Sequence, residues 1–567
     1  MERIKNNCLE LQLAVMTLRM IHTMIINIFV KLRVFVWAIS IFLISGLVQY
    51  IFITTYNLYN PHWVDWAQES KSGMQVEAFV LPNAKLTYPS IDEDKDVLYV
   101  GTFIERDKRG IVVSTPGIKH EEYTQRRHRL MRVLSQTRYG KKFENHVVLL
   151  SAATPKTMSN DVTYPFHQDV DFLYLTGVNE PDAMLALEYN RTLDRTIFML
   201  FVKPNDPKQA QWDGPVIGVS AAMAYFKADA AYPISAFDTI IKKRYNNGKY
   251  CIWYKQNDQD KMRNDSAISN LVTSTKFKKA GQHPIEYNLQ LLRLIKSDAE
   301  ARIMKKSAAV SSQAFLKVMK KTKVGLPEAH AHAQFEYECR SSGAQHVSFP
   351  PIVAGGNHAN TLHYMNNSDI LRDNDLVLVD GGCEYNGYPS DITRTWPVNG
   401  KFTPPQKQLY QIVLDVQKAC LKECKPGVSL DHIYQVMLLS LGKQLQGIGF
   451  IGRNESSEKE LKKIAGEYCP HPVGHYLGMD THDTPLIHRG LPLQTGIAFT
   501  LEPGIYIPLN AEHVPQKYRG IGIRIEDDVL LTNSGPYVLT GDLPKEIDDI
   551  EMLLAGDESK IQYNSTS

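Results

Sequence analysis

The chain has 567 residues, 43% hydrophobic and 22% charged, the balance of a folded globular protein and too long for one ordinary core. Lysine and arginine (63) nearly cancel aspartate and glutamate (61), and a net charge of +2 gives no electrostatic ground for a nucleic-acid partner. Seven scattered cysteines without a C-x-x-C pair exclude a disulfide-stapled scaffold and point to a reducing or redox-neutral compartment.

In chain order, the first feature is the apolar run Val34–Tyr56, with no formal charge between Val34 and Val64. It meets the roughly 20-residue requirement of a transmembrane helix. Lys31 and Arg33 on one side, and Asp65 and Glu69 on the other, would keep the N-terminus on the cytosolic or matrix side. Residues 1–64 read equally as a long targeting presequence or a mis-assigned start. Residues 65–115 lack periodicity and read as a tether. An α/β domain is expected over 116–288: an exposed basic helix from Glu121 to Gln136, strands at Val147–Leu150, Phe172–Thr176, Met184–Leu187 and Thr196–Val202, and helices at Ala221–Phe226 and Ser235–Ile241.

A second domain, 289–556, opens with the capping box Ser297-Asp298-Ala299-Glu300 ahead of a long helix. Further helices are expected through Gln408–Glu423 and from Ser429, with strands at Leu376–Val379, Ile392–Trp396, Ile497–Leu501 and Gly522–Glu526. Helices beside an antiparallel sheet make this an α+β domain, followed by a tail at 557–567.

Asn386-Gly387 is a two-residue hairpin signal of type I′. With those two residues as the loop, Asp380 faces Thr393, and Asp391 lies diagonally on the same face, about 7–8 Å away at the backbone. Pro389 in the returning strand is a place for a bulge. Two carboxylates on one face repel unless something positive lies between them. Glu502 and Glu526 also stand at strand ends, and Ile523 and Ile525 alternate with Arg524 and Glu526. Asp527 and Asp528 read either as surface acids or as acids that back the site's ligands from behind. The segment CPHPVGHYLGMDTHDTP supplies His471, His475 and His482. An oxygen-rich set with one imidazole suits Mn²⁺ or a similar hard divalent ion. The chain has no H-E-x-x-H, no G-x-S-x-G and no phosphate-binding G-x-x-x-x-G-K-[ST].

Leu362-His363-Tyr364, VDGGCEYNGYPSDITRTWPVNGKF, HPVGHYLGMDTHD, LEPGIYIP and YRGIGIRIEDDV, in this order, resemble the motifs of the aminopeptidase P family. YPFHQDVDFLYLTGVNEPDAML (Tyr164–Leu185) is similar to the N-terminal domain of that family's mitochondrial, intermediate-cleaving branch. The resemblance implies a pita-bread catalytic domain behind a smaller α/β domain, and a metalloaminopeptidase that removes the first residue of peptides with proline second. It implies two metal ions, most simply Mn²⁺. Asp380 would bind one, His475 and Glu502 the other, with Asp391 and Glu526 bridging. Glu502 would also handle the proton of the attacking water, while His363 and His482 hold substrate. His471 and Arg524 would either back the metal ligands or line the proline pocket. The partners implied are peptide N-termini in mitochondria, and a homodimer is expected, held to a membrane if residues 34–56 form an anchor. Phe349 stands where that branch tends to carry tyrosine, so a hydroxyl contact is lost. The enzymatic alternative is a prolidase-like dipeptidase. The other class, a non-catalytic binding protein on the same fold, is disfavoured because all five metal ligands are present.

Overall fold

The computed structural model describes residues 117–245, 248–255, 268, 281–450 and 457–557. The apolar segment 1–64, the tether 65–115 and the tail beyond residue 557 lie outside the described residues. No helix among the described residues is long and apolar enough to cross a membrane.

The N-terminal part runs α1 (His120–Gln136), β1 (Asn145–Ser151), α2 (Val170–Thr176), β2 (Met184–Asn190), β3 (Arg195–Val202), α3 (Pro207–Asp213), α4 (Gly218–Phe226), β4 (Ala230–Pro233), α5 (Phe237–Tyr245), β5 (Tyr250–Tyr254), β6 (Gly281–Pro284) and α6 (Glu286–Leu294). Its strands form one mixed sheet in the order β4-β3-β2-β1-β5-β6. Both faces are covered, which is why β1 reads as a continuous apolar run and not as an alternating one.

Two expectations change here. Phe172–Thr176 is a helix, not a strand. The Asp169 side chain accepts from the Phe172 N–H at 2.9 Å, and Gly177 (φ 72°) closes the other end in the left-handed conformation. The cap and the glycine decide the matter over the apolar composition. Helix α1 is not an exposed basic helix, because Arg126 and Arg127 are buried. Arg126 pairs with Glu122 at 2.6 Å and lies over the Tyr174 ring at 4.2 Å, and Arg127 donates to the Leu175 carbonyl at 2.9 Å. Burying a guanidinium is tolerable only with such partners.

The second part is α+β. Its helices are α7 (Asp298–Lys321), α8 (Glu328–Ser341), α9 (Pro404–Glu423), α10 (Leu430–Gly447), α11 (Glu458–Tyr468) and α12 (Ile547–Ala555). Helix α7 starts on the expected box: the Glu300 N–H donates to Ser297 Oγ at 3.2 Å, and the Ser297 N–H to Glu300 Oε2 at 2.8 Å. Helix α9 begins earlier than expected, at Pro404, since proline is well suited to a first turn. The strands are β7 (His346–Val347), β8 (Ile352–Gly355), β9 (Leu376–Gly381), β10 (Cys383–Tyr385), β11 (Tyr388–Pro389), β12 (Ile392–Pro397), β13 (Ala498–Leu501), β14 (Gly504–Ile507), β15 (Ile521–Arg524), β16 (Asp527–Thr532) and β17 (Gly535–Val538). They assemble antiparallel as β12-β9-β8, β11-β10-β7, β13-β16-β17 and β14-β15.

The two parts are tied by charges, of which Arg293, Asp171, Asp483 and Glu384 are buried. Arg293, at the end of α6, reaches Asp171 of α2 at 2.6 Å and, in the segment between Tyr468 and Ala498 of the second part, Asp483 at 2.5 Å and Asp480 at 2.8 Å. His167 Nε2 meets Glu384 Oε2 of β10 at 2.6 Å.

Candidate metal centre and substrate cavity

The hairpin sets the positions of the first two acids. Asn386 (φ 51°) and Gly387 (φ 80°) are both left-handed, as a type I′ turn demands. Asp380 pairs with Thr393, Glu384 with Pro389, and Ile392 with Gly381, so the register holds from turn to centre and Pro389 introduces no bulge. The close approach just beyond β9 needs Gly382: a Cβ there would stand 1.7 Å from the Ser390 carbonyl oxygen. Asp391 enters at the start of β12, and its N–H donates to the Asp528 carboxylate at 3.1 Å.

Glu526 lies in the break between β15 and β16, not within a strand. Its N–H donates to the Thr393 carbonyl at 3.0 Å, and its Oε2 accepts from Thr393 Oγ1 at 2.6 Å. The break is pinned from behind by Arg394, fully buried, which donates to the Glu526 carbonyl at 2.5 Å and to Asp527 Oδ1 at 2.7 Å. Asp527 is therefore no surface acid: Arg394 and Lys545 outweigh its burial and hold its carboxyl well below the usual range. Asp528 is equally buried, and burial pushes its carboxyl up.

Glu502 ends β13 ahead of Pro503-Gly504. His475 lies on a segment running alongside β13, fixed by the Thr500 N–H to its carbonyl at 2.9 Å. Its Nδ1–H donates to the Tyr476 carbonyl at 3.1 Å, which turns Nε2 towards Asp391 Oδ2 at 3.3 Å and Glu502 Oε1 at 3.9 Å. Arg524 of β15 donates to Asp380 Oδ2 at 2.5 Å, to Thr393 Oγ1 at 3.0 Å and to the Tyr506 hydroxyl at 3.0 Å.

All ten residues singled out in the sequence line one cavity of about 970 Å³: Phe349, His363, Asp380, Asp391, His471, His475, His482, Glu502, Arg524 and Glu526. Phe349 is half-buried; His363 and His482 are exposed. The His482 ring stands edge-on to His475 at 4.3 Å. His471 Nε2 meets the Tyr506 hydroxyl at 2.9 Å, and burial with Arg524 nearby lowers its pKa to about 4, so it is neutral at neutral pH. Thr393 and Tyr506 lie inside the quoted motifs, but sequence reasoning gave them no role; the bonds from Thr393 to Glu526 and from Arg524 to Thr393 and Tyr506 emerge only from the packing.

Burial first, then the neighbouring acids, raises the carboxyls of Asp391 and Glu526 well above their ordinary values. Burial likewise raises Glu502, against the pull of His475 and Arg524. A divalent cation fits this donor set. Asp391, His475 and Glu526 offer ligand atoms within 4.8 Å of one another, and Asp380 Oδ1 is buried with no hydrogen-bond partner.

The description "Metallopeptidase family M24" matches residues 302–533, and "Aminopeptidase P, N-terminal domain" matches residues 123–253. Xaa-Pro aminopeptidase 3 of Rattus norvegicus is 44% identical over 442 residues, 77% of this chain and 87% of the rat protein. The mitochondrial intermediate cleaving peptidase 55 of Arabidopsis thaliana is 40% identical over 78% of this chain and 84% of its own length. Among solved structures, aminopeptidase PepP of Pseudomonas aeruginosa superposes with a TM-score of 0.71 at 33% identity, covering 78% of this chain and 99% of that one.

Proposed function

The chain belongs to metallopeptidase family M24, in its aminopeptidase P branch, and from that premise we propose that it removes the N-terminal residue from peptides and proteins with proline second, trimming imported proteins in mitochondria. The observation that carries the reading is the gathering of ligand atoms from Asp391, His475 and Glu526 within 4.8 Å of one another, in the same cavity as His363 and His482.

Asp380, Asp391, His475, Glu502 and Glu526 would hold two divalent ions, with Mn²⁺ as the resident metal. Bound there, the ions would polarise the scissile carbonyl and lower the pKa of water at neutral pH. Glu502 takes a proton from the attacking water and returns it to the prolyl nitrogen as that bond breaks. His363 and His482 hold the substrate and donate to the oxygen that gains charge. His471 and Arg524, with Tyr506 between them, wall the proline ring, and Phe349 covers it by apolar contact. Mitochondrial residence is supported by the name of the Arabidopsis relative. A homodimer is the assembly expected.

Hydrolysis of Xaa-Pro-containing tripeptides with added Mn²⁺, alongside metal counting on the purified protein, tests this. Release of the first residue is expected. Cleavage confined to dipeptides would favour the prolidase-like alternative, and metal-loaded protein without hydrolysis would favour a binding role. In cells, mitochondrial N-termini should lengthen by one residue when the enzyme is absent.

A further inference from the structure

Glu328, the first residue of α8, is a carboxylate with no solvent exposure at all. Its Oε1 accepts from the Gly355 N–H at 2.8 Å and from His358 Nδ1 at 3.0 Å. Its Oε2 accepts from the Tyr364 hydroxyl at 3.0 Å and from the Asp369 N–H at 2.9 Å. A carboxylate offers about four acceptor positions; here all are taken, and every donor comes from the segment Gly355–Asp369. The backbone adds to the clasp, with the Glu328 N–H donating to the Asp369 carbonyl at 2.8 Å and the Leu371 N–H to the Leu326 carbonyl at 2.9 Å.

That segment carries Leu362, His363 and Met365 into the cavity. Its far end is closed by Asn367, which turns with φ 45°, donates to the Pro351 carbonyl at 2.8 Å and accepts from the Val353 N–H at 2.7 Å. Inside the loop the His358 and Tyr364 rings stack at 4.5 Å and 18°. Tyr364 is buried while its neighbour His363 is exposed. Among the described residues His363 shows no hydrogen bond of its own. Its place is therefore inherited from Tyr364 and, through Tyr364, from Glu328.

We propose that Glu328 is a positioning residue for the reaction, acting on substrate through His363 by fixing the loop that carries it. This rests on His363 being a substrate-holding group, and the test separates the two ideas. Glu328→Gln keeps the size of the side chain, but its NH₂ must face two donors, at least one of them a fixed backbone N–H, on whichever side it lies. The kcat and KM for an Xaa-Pro peptide would be measured with saturating Mn²⁺ for the unmodified enzyme, Glu328→Gln, His363→Ala and the double variant, with metal counted on each.

Expected are full metal content throughout, a kcat lower by about tenfold or more in Glu328→Gln, and less than about a twofold further loss when the same change is made in His363→Ala. A structural role unconnected with His363 would cost the same factor in both backgrounds, and that result would overturn the proposal, as would unaltered kcat in Glu328→Gln. An unaltered kcat in His363→Ala would remove the reading of His363 itself, and the proposal with it. Tyr364→Phe, which deletes one of the four bonds without a mismatched donor, runs through the same cycle and carries the test if Glu328→Gln does not fold.

Discussion

Asp391 is the residue on which the candidate centre turns. It is buried, its carboxyl is pushed up by that burial and by Asp380, Asp528 and Glu502, and its Oδ2 lies 3.3 Å from His475 Nε2. Asp391→Asn keeps the shape and removes the charge that would face a cation. The variant should fold, with a metal-free melting temperature at or above that of the unmodified protein, because repulsion is relieved. It should bind less metal and lose activity by at least about three orders of magnitude, the scale a metal-activated nucleophile supplies. Full metal content with near-normal turnover would end the two-metal reading. At Phe349 the effect should be confined to substrate: Phe349→Ala raises KM by removing apolar contact, and Phe349→Tyr leaves kcat nearly unaltered. An unaltered KM in the alanine variant would place Phe349 outside the substrate's reach. Asp380 and Asp391 were legible because a turn dipeptide fixes their register. Glu328 and Arg394 were not, because single charges carry no periodicity and only tertiary packing reveals that they are buried; for Asp528 the sequence left surface and ligand-backing places open, and packing against the Asp391 N–H decides for the second.

Among the elements, the hairpin from β9 to β12 shows what local chemistry can specify. Asn386-Gly387 announced the turn, and the pairing of Asp380 with Thr393 followed from counting back along both strands. Helix α2 shows the converse: its apolar run fits strand or helix, and the cap at Asp169 and Gly177 decide it. Glu526 was expected at a strand end and stands in a break whose cause, the buried Arg394–Asp527 pair at 2.7 Å, has no sequence signature. The hairpin also carries a prediction that touches no ligand. Gly382→Ala would put a Cβ 1.7 Å from the Ser390 carbonyl oxygen, so the strands must part where the two acids enter. The expected result is a loss of about 1–3 kcal/mol of stability by denaturant titration, together with weaker metal retention. Unchanged metal affinity in that variant would show that the acids are held independently of the hairpin.

Across the molecule, the junction between the two parts is built from charges that composition could not pair. Arg293 bridges Asp171 to Asp480 and Asp483, and Lys255 adds a contact to Asp171 at 3.1 Å. Burial pushes the Asp171 carboxyl up, but Lys255 and Arg293 outweigh it and hold the pKa at about 2. An acid whose folded pKa is depressed contributes stability that is present above its unfolded pKa of about 3.9 and is lost as pH falls through the folded value. Acid unfolding between about pH 4 and pH 2 should therefore include an Asp171 component. Asp171→Asn should lower stability at neutral pH and flatten that limb, read by circular dichroism against pH. An acid limb of unaltered slope would remove the junction as a source of stability.

With no cation between them, Asp391, Glu502 and Glu526 repel one another in a buried site, and a bound ion would reverse the sign of that interaction. The folded fraction, and with it exposure to the proteases that clear unfolded chains, would then follow the divalent-ion supply of the compartment. Starvation for that ion would deplete the polypeptide itself by degradation, so activity per cell would fall more steeply than site occupancy.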